Sequence, residues 1–565
     1  MPLNEYKMPY YPKGRAGRVV GQVGQIFYAV ARKGIKEMLA PIDLVSDRFK
    51  KFLSRFESFR PYQLETALKV KSAFDRGKKF VLVQAPTGVG KTLIAVLVAA
   101  MMELQMRYTS HSKQLQAQFI GDFPDAVQLL GRNNYICLKD PGLFPRLSAE
   151  LCTVNSPYCK TCQLKDHCEP DTEGKCPCRW NCSYLIQKRL ALNADIAVLN
   201  AAYLLRVVNY GGGFSPIPLL VLDEVDLTEN ALLGMIEITF TDRFMEKFGL
   251  LPPKYKTKPE SWRERAPEWL QVVEQRIKQL ENAWGIDDLV SLHQLEQKKR
   301  QLEFFIREVD DRWVFDGTTF KPVWVSRYAE TYLWQHADKI LGMSATITPW
   351  RQLCRDLGID PSQAEFVDAP SVFPAEKRLI HYRPAANMNH NSKEAEFPNL
   401  VAAFDKILTQ HPHQKGLCHC VSFSNGDQIK KLSKYPERLI THREADRTSQ
   451  LHRFMESSSP LVLLSPSMER GVDLPNDFCR FVIIAKVPFP YLGDPQVSAR
   501  LHRGKSAGQA WFDATTARRI VQATGRGMRS SDDFCVSYIL DSAFGDFYQR
   551  NMAAFPRWWR DALIT

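Results

Sequence analysis

The chain has 565 residues, 45% of them apolar, and a formal net charge of +13. This length exceeds what one hydrophobic core accommodates and predicts two or three domains, while the basic balance favours a polyanionic partner such as nucleic acid. The longest apolar run, 93–102, is too short to span a bilayer and no signal peptide is found, so we expect a cytoplasmic protein without membrane contact.

Basic charge is concentrated at the start of the chain. Residues 1–60 contain twelve Lys and Arg against five Asp and Glu, and the stretch from Val23 to Leu39 has the pattern of an amphipathic helix. We therefore treat residues 1–50 as a basic appendage that contacts nucleic-acid phosphates or a protein partner.

Two sets of β-branched runs alternate with helical patterns along the rest of the chain. The first set comprises 80–83, 196–199, 219–222 and 339–343, and the second comprises 417–421, 461–464, 481–484 and 535–540. Runs of this kind, flanked by helices, are typical of covered parallel sheets. The sequence therefore predicts two α/β domains in tandem.

The first run leads into a phosphate-loop pattern, Ala85 to Thr92. Backbone N–H groups of such a loop cradle phosphates, while Lys91 reaches the β- and γ-phosphates of ATP and the Thr92 hydroxyl coordinates Mg²⁺. Upstream, Gln63 is placed to contact adenine. The nucleotide-binding residues predicted from this region are Arg60, Gln63, Thr87, Gly88, Val89, Gly90, Lys91 and Thr92.

Two carboxylates follow the run 219–222, namely Asp223 and Glu224. A carboxylate at a strand end can hold Mg²⁺, and its neighbour can orient or deprotonate the attacking water. We therefore expect Asp223 to bind the metal and Glu224 to act on the water. Three polar residues late in the chain lie at helical spacing: Gln522, Arg526 and Arg529. Two arginines on one helical face can supply planar donors to a γ-phosphate, as an arginine finger does.

Eight of the thirteen cysteines lie in one window, from Cys137 to Cys182, between the phosphate loop and the acidic pair. Because a cytosolic chain keeps its thiols reduced, this cluster favours metal ligation over disulfides. Sets of four cysteines bind iron–sulfur clusters or Zn²⁺. Cys159 and Cys162 form the strongest local chelate.

Between residues 231 and 335 the pattern becomes helical. Apolar residues recur at helical spacing in two sets, one from Trp269 to Trp284 and one from Leu292 to Val309, and predict a helical hairpin. Such a hairpin serves either as a stabilising insertion or as one wall of a channel.

A resemblance to a known family rests on seven segments in a fixed order: 60–63, 85–92, 109–116, 223–226, 344–346, 469–473 and 522–529. In this order they resemble the XPD/DinG family of iron–sulfur DNA helicases in superfamily 2. The resemblance extends from about residue 55 to residue 545. At the two ends of the cysteine window, 131–137 looks like the family's first cluster-ligand segment and 182–200 like its last.

The resemblance implies an α/β fold of two tandem RecA-like motor domains, with a cysteine-rich Fe–S insertion and a helical Arch-like insertion in the first. The implied boundaries are 1–50 for the basic appendage, 51–136, 183–230 and 336–370 for motor domain 1, 137–182 for the Fe–S domain, 231–335 for the Arch-like domain and 371–565 for motor domain 2. The implied activity is ATP-driven translocation by a monomer on single-stranded and forked DNA, typically 5′→3′. Gly471 and Asp473 join the nucleotide-binding residues on this basis.

The same resemblance assigns one 4Fe–4S cluster to four cysteines: Cys137, Cys159, Cys162 and Cys182. The alternative is that Cys152 or Cys168 replaces one of the central pair. The four cysteines left over form a candidate second metal site, for example for Zn²⁺: Cys152, Cys168, Cys176 and Cys178.

Two other functions stay open. The family's acidic box usually ends in His, whereas this chain has Asp226, as DEAD-box RNA helicases do, so an RNA-dependent ATPase is one alternative. The other is a DNA-binding Fe–S redox sensor with a weak motor. Four intact motor residues argue against it: Lys91, Asp223, Glu224 and Arg526.

Overall fold

The computed structural model describes residues 41–86, 88–136, 148–149, 182–280, 286–466, 474, 476–525, 527 and 533–565. The helix expected at 23–39 and nearly all of the cysteine window at 137–182 lie outside these residues. Throughout the described part of the chain, no helix combines the length and the apolar character that a membrane span needs.

The first half of the chain builds a parallel sheet with helices on both faces, here called domain 1. Its first five strands are β1 (Phe80–Gln84), β2 (Met106–Ser110), β3 (Val127–Leu129), β4 (Ile196–Asn200) and β5 (Ile217–Asp223). The helices around them are α1 (Asp47–Leu53), α2 (Gln63–Asp75), α3 (Lys91–Met101), α4 (Lys113–Asp122), α5 (Ser183–Asn193) and α6 (Ala201–Arg206).

A helix-rich segment from Ile238 to Tyr332, here called the insertion, interrupts domain 1. It is entered through α7 (Thr228–Ile236) and contains α8 (Asp242–Phe248), α9 (Pro259–Leu280), α10 (Ile286–Glu308) and α11 (Ser326–Tyr332). A small antiparallel sheet lies beside them, formed by β6 (Ile238–Thr239), β7 (Trp313–Asp316) and β8 (Thr319–Pro322) in the order β6-β8-β7.

The predicted helical hairpin is present as α9 packed against α10. One face of α9 buries Trp262 and Trp269, and both rings contact Phe240, which also meets Phe305 of α10 edge to face. Apolar residues at helical spacing therefore close a small core inside the insertion.

Domain 1 resumes with β9 (Ala337–Ser344), α12 (Trp350–Asp356) and β10 (Ala364–Asp368). The seven strands lie in the order β10-β1-β9-β5-β2-β4-β3, all parallel. Gln84 at the end of β1 is level with Ser344 at the end of β9, and Asp223 at the end of β5 is level with Met343. The loops after these three strands therefore leave the same edge of the sheet.

Domain 2 is a second parallel sheet. Its strands are β11 (Ile380–Ala386), β12 (Gly416–His419), β13 (Leu439–Ile440), β14 (Val462–Ser465), β15 (Phe481–Ile484), β16 (Val536–Asp541) and β17 (Leu563–Ile564), in the order β13-β14-β12-β15-β16-β11-β17. The helices are α13 (Lys393–Gln410), α14 (Phe423–Leu432), α15 (Arg447–Glu456), α16 (Pro495–Gly504), α17 (Ser506–Thr524), α18 (Ala543–Asn551) and α19 (Arg557–Arg560). The prediction of two tandem RecA-like α/β domains is confirmed.

Candidate active site

The loop between β1 and α3 has the shape of a phosphate cradle. Gly88 and Gly90 both have φ of +83°, a conformation that glycine adopts without steric cost. A Cβ on Gly90 would lie 2.2 Å from Nε2 of Gln63, and a Cβ on Gly88 would lie 2.2 Å from Cζ of Phe373. Gly90 is the N-cap of α3 and supplies no side chain to cap it. The first N–H groups of α3 are therefore free of a side-chain cap and suit an anion.

Gln63 and Arg60 donate hydrogen bonds to backbone carbonyls of this loop. The buried Gln63 amide donates to the Val89 carbonyl at 2.8 Å, and its oxygen accepts from the Arg60 N–H at 2.8 Å. The Arg60 guanidinium donates to the Gly88 carbonyl at 3.0 Å. These contacts fix the shape of the loop. The adenine contact expected of Gln63 stays a prediction.

Lys91 and Glu224 face each other across the mouth of the cradle. Nζ of Lys91 lies 3.6 Å from Oε1 of Glu224. Glu224 directly follows β5 and has left-handed backbone angles, φ 53° and ψ 57°, which cost a non-glycine residue roughly 1–2 kcal/mol. This turn places its carboxylate beside Lys91 while Asp223 keeps its position at the strand end.

Asp223 has the character of a cation ligand. Its Oδ1 is buried and has no hydrogen-bond partner among the described residues. Burial first, and then the charge of Glu224, raise the pKa of Asp223 to about 6, against the opposing effect of Lys91. The buried Tyr108 hydroxyl lies near the Asp223 carboxylate and the Thr92 hydroxyl, and burial first, then the charge of Asp223, raise the pKa of Tyr108. A buried anionic oxygen with a free lone pair, held near a threonine hydroxyl, fits Mg²⁺.

Among the described residues of domain 2, Gln522 of α17 hydrogen-bonds to this site. Its amide donates to Oδ2 of Asp226 at 2.8 Å and to the Thr346 hydroxyl at 2.9 Å. Ser344, at the end of β9, donates to Oδ1 of Asp226 at 2.8 Å and contacts Oε2 of Glu224 at 2.9 Å. A chain of polar contacts thus runs from domain 2 to the carboxylate beside Lys91.

Several predicted site residues lie outside the described part of the chain: Thr87, Cys137, Cys159, Cys162, Gly471, Asp473, Arg526 and Arg529. Their roles stay predictions. Cys182 is described, and its half-buried thiol stands at the N-cap of α5. Among the described residues, no group of three His, Cys, Asp or Glu side chains has the spacing of a metal site.

The sequence did not point to every residue at this site. Tyr108 lies inside a buried strand, where nothing local distinguishes it from a core aromatic. Ser344 and Thr346 stand in a segment that supports the family resemblance, yet their partners become visible only when β9 lies next to β5.

Comparisons with known proteins agree with this arrangement. Residues 57–126 match a family model described as the res subunit of type III restriction enzymes, and residues 406–562 match a helicase C-terminal domain. A probable ATP-dependent helicase of Methanocaldococcus jannaschii is 21% identical over 84% of this chain and 90% of its own length. The ATP-dependent DNA helicase DinG of Photobacterium profundum is 24% identical over 47% of this chain and 40% of its own length.

The fold has a close parallel among solved structures. An XPD helicase structure superposes with a TM-score of 0.59 at 15% identity, covering 90% of this chain and 99% of the other. The chain thus combines two RecA-like domains that share one nucleotide cleft with a match to a helicase C-terminal domain in the second. The chain is therefore similar to helicases of the XPD/DinG type, which confirms the resemblance seen in its sequence.

Proposed function

We propose that this chain is an ATP-dependent DNA helicase that translocates on single-stranded DNA in the 5′→3′ direction and separates strands ahead of it. The observation that carries the proposal is the meeting of Lys91 and Glu224 of domain 1 with Gln522 of domain 2 in one cleft. Hydrolysis in a cleft between two domains changes their separation, and that change is what moves a strand.

Each described residue of the cleft has a distinct task. Lys91 and the N-terminus of α3 bind the β- and γ-phosphates of ATP, and Glu224 orients the attacking water and takes its proton. Thr92 and Asp223 would hold Mg²⁺, which neutralises charge on the phosphates. Arg60 and Gln63 keep the loop in its binding shape.

The second domain completes the site. We assign Arg526 and Arg529 to the γ-phosphate, with Gly471 and Asp473 contributing to the nucleotide site from the same domain. Gln522 supports this assignment, because it stands on the helix that leads into Arg526 and already contacts Asp226. An arginine finger delivered on closure stabilises charge that develops only during the reaction.

Two observations favour DNA as the strand on which the chain moves. A relative named as an ATP-dependent DNA helicase matches part of this chain, and the net charge of +13 suits a polyanion. Residues 1–50 would add phosphate contacts or bind a protein partner.

An Fe–S domain would assist strand separation. The proposed cluster ligands are Cys137, Cys159, Cys162 and Cys182, and the cysteines left over would hold a second metal such as Zn²⁺. Cys182 fits a ligand role, because its thiol forms no disulfide with another described cysteine and stands at the N-cap of α5, where the cysteine window ends.

The deciding experiment compares strand displacement on duplexes with a 5′ tail, a 3′ tail and no tail. We expect ATP-dependent displacement of the 5′-tailed duplex alone. ATP turnover should rise with single-stranded DNA more than with single-stranded RNA. Lys91→Ala should lower DNA-stimulated turnover by about 10²–10³-fold, as loss of a preorganised charge does. Stimulation by RNA but not DNA would replace the proposal with the RNA-dependent ATPase.

A further inference from the structure

A buried cluster of four charges joins domain 2 to domain 1 and includes none of the residues assigned to the nucleotide cleft. Domain 1 contributes Glu229 and Asp356, and domain 2 contributes Arg500 and Arg518. Arg500 is 2% exposed, and Nη2 of Arg518 lies 3.2 Å from Oδ2 of Asp356. Two cations from one domain thus meet two carboxylates from the other, with water largely excluded. We call this group the seam cluster.

Arg500 contacts three parts of the molecule at once. Its Nη1 lies 2.7 Å from Oε1 of Glu229 in α7, an ion pair rather than an aligned hydrogen bond. Its Nε donates to the carbonyl of Val323 in the insertion at 2.7 Å. The guanidinium lies over two indole rings, with its carbon 4.8 Å from the ring centroid of Trp324 in the insertion and 4.3 Å from that of Trp511 in α17.

Helix α16, which carries Arg500, packs against both the insertion and helix α17. Ala499 of α16 packs with Val314 and Val323 of the insertion. A Cβ on Gly508 would lie 1.9 Å from the Arg500 carbonyl oxygen, so α17 and α16 touch backbone to backbone. A displacement of the insertion relative to domain 2 therefore has to move or break the contacts of Arg500.

Helices α17 and α7 connect the seam cluster to the nucleotide site. Trp511, Arg518 and Gln522 are seven and four residues apart on α17 and share one face of the helix. The Trp511 indole donates to Oε2 of Glu229 at 3.3 Å. Glu229 is in the first turn of α7, and this helix begins two residues after Asp226, the acceptor of Gln522.

Arginine is the side chain that these contacts require. Its planar guanidinium can stack on two indoles and still donate in its own plane, whereas lysine offers a compact charge that does neither. Stability alone gives a weak reason for the pair, because a buried ion pair is often no more stabilising than an apolar replacement.

We propose that Arg500 is a positioning residue that couples the insertion to ATP hydrolysis, by holding Glu229 and with it the start of α7 beside Asp226. The proposal rests on the proposed function, in that the insertion is taken to meet the DNA strand. A strand that displaces the insertion then shifts Val323 and Trp324, and Arg500 passes this shift to the acidic turn of the nucleotide site.

The test measures ATP turnover with and without single-stranded DNA, the Kd of a fluorescent ADP analogue, and the thermal unfolding midpoint of the full chain. The variants are Arg500→Lys, Arg500→Met, and Arg500→Met combined with Glu229→Gln. Arg503→Lys is the matched control, because the exposed Arg503 also bonds from α16 to the insertion, at the Asp311 carbonyl, without touching Glu229.

We expect Arg500→Lys to lower DNA-stimulated kcat by at least about 5-fold, the lower range of site-to-site coupling, while the Kd of the ADP analogue stays within about twofold and Arg503→Lys behaves as wild type. The double variant should regain the unfolding midpoint lost in Arg500→Met without regaining stimulated turnover. If Arg500→Lys does not fold, the double variant decides the question.

Three outcomes would overturn the inference alone: wild-type stimulation in Arg500→Lys, recovery of both midpoint and turnover in the double variant, or a change in nucleotide Kd with kcat unaltered. A wild-type chain without strand stimulation would overturn the proposed function as well, so the two failures are distinguishable.

Discussion

Gln522 of domain 2 donates a hydrogen bond of 2.8 Å to Asp226 of domain 1. Asp226 is 5% exposed, so the contact is shielded from water and contributes more than a surface pair would. The bond forms only when the two domains stand close together. It therefore links closure of the cleft to a donor of domain 2 and an acceptor of domain 1 at the nucleotide site, in addition to the contacts of the seam cluster.

The first prediction concerns exchange of the donor and the acceptor in this hydrogen bond. Gln522→Glu places a carboxylate against Asp226, and kcat for ATP should fall roughly 10- to 100-fold, the range of a lost hydrogen bond to a charged group. Nucleotide affinity should change little, because domain 1 holds the phosphate loop. Adding Asp226→Asn restores a donor–acceptor pair with the roles exchanged and should recover much of the loss. Failure of this rescue would separate Gln522 from closure.

Glu224→Gln should abolish most hydrolysis while ATP still binds. The amide has the shape of the carboxylate but cannot accept a proton from water, and loss of a general base typically costs about 10²–10⁴-fold in rate. Lys91 loses its ion pair at 3.6 Å and becomes more available to phosphate. Rapid-quench turnover and the Kd of an ATP analogue check this prediction. A variant that binds ATP poorly and turns over normally would contradict it.

Tyr108→Phe tests the proposed Mg²⁺ site without removing a ligand. The hydroxyl of Tyr108 lies near the Asp223 carboxylate and the Thr92 hydroxyl, and removing an outer partner of a metal ligand typically lowers metal affinity by about 10–100-fold. The Mg²⁺ concentration for half-maximal turnover should rise, and Mn²⁺ binding followed by electron paramagnetic resonance should weaken. Tyr184→Phe is the control, since its hydroxyl bonds to Tyr203. Equal effects of the two changes would refute the role of Tyr108.

Local motifs of the nucleotide site could be found from the sequence. The phosphate loop lies between β1 and α3, and Asp223 closes β5, as the runs of apolar residues predicted. Each motif needs only one strand and the turn that follows it, so periodicity and turn chemistry suffice to locate it.

Contacts between distant segments could not be found in this way. Gln63 holds the phosphate loop because α2 packs behind it, and no local pattern reports that packing. Glu229 and Arg500 are single charges in helical stretches, and burial of the pair depends on how two domains and the insertion meet. The antiparallel sheet β6-β8-β7 also escaped prediction, because strands of two to four residues carry too little alternation to be recognised.

Asp356 should give the stability of the chain a characteristic pH dependence. Burial raises the pKa of Asp356 to about 6, although the charge of Arg518 acts to lower it. A raised pKa means that the folded state binds the proton more tightly, so this contribution is present below pH 3.8 and is lost as the pH rises through about 6. The unfolding midpoint of wild type minus that of Asp356→Asn should therefore shrink from pH 4 to pH 7. The nearby charge of Glu229 also raises the pKa of Asp356, and that of Arg500 lowers it.

Asp360→Asn provides a control of opposite sign. Hydrogen bonds from Ser362 lower the pKa of this exposed carboxyl below 3.8, so its stabilising contribution is lost as the pH falls. The midpoint difference for Asp360→Asn should grow with rising pH, where that for Asp356→Asn shrinks. Equal slopes for the two variants would contradict the assignment to Asp356.

The last prediction concerns the metal expected in the cysteine window. Anaerobically purified protein should be brown and contain about four irons per chain, as one Cys₄-ligated 4Fe–4S cluster requires. Cys182→Ser should lose the iron and strand displacement but keep ATP hydrolysis without DNA, since Lys91 and Glu224 are held by β1 and β5. Iron together with about one zinc would support a second site among the remaining cysteines. Zinc without iron after strictly anaerobic preparation would refute the cluster and leave the nucleotide site untouched.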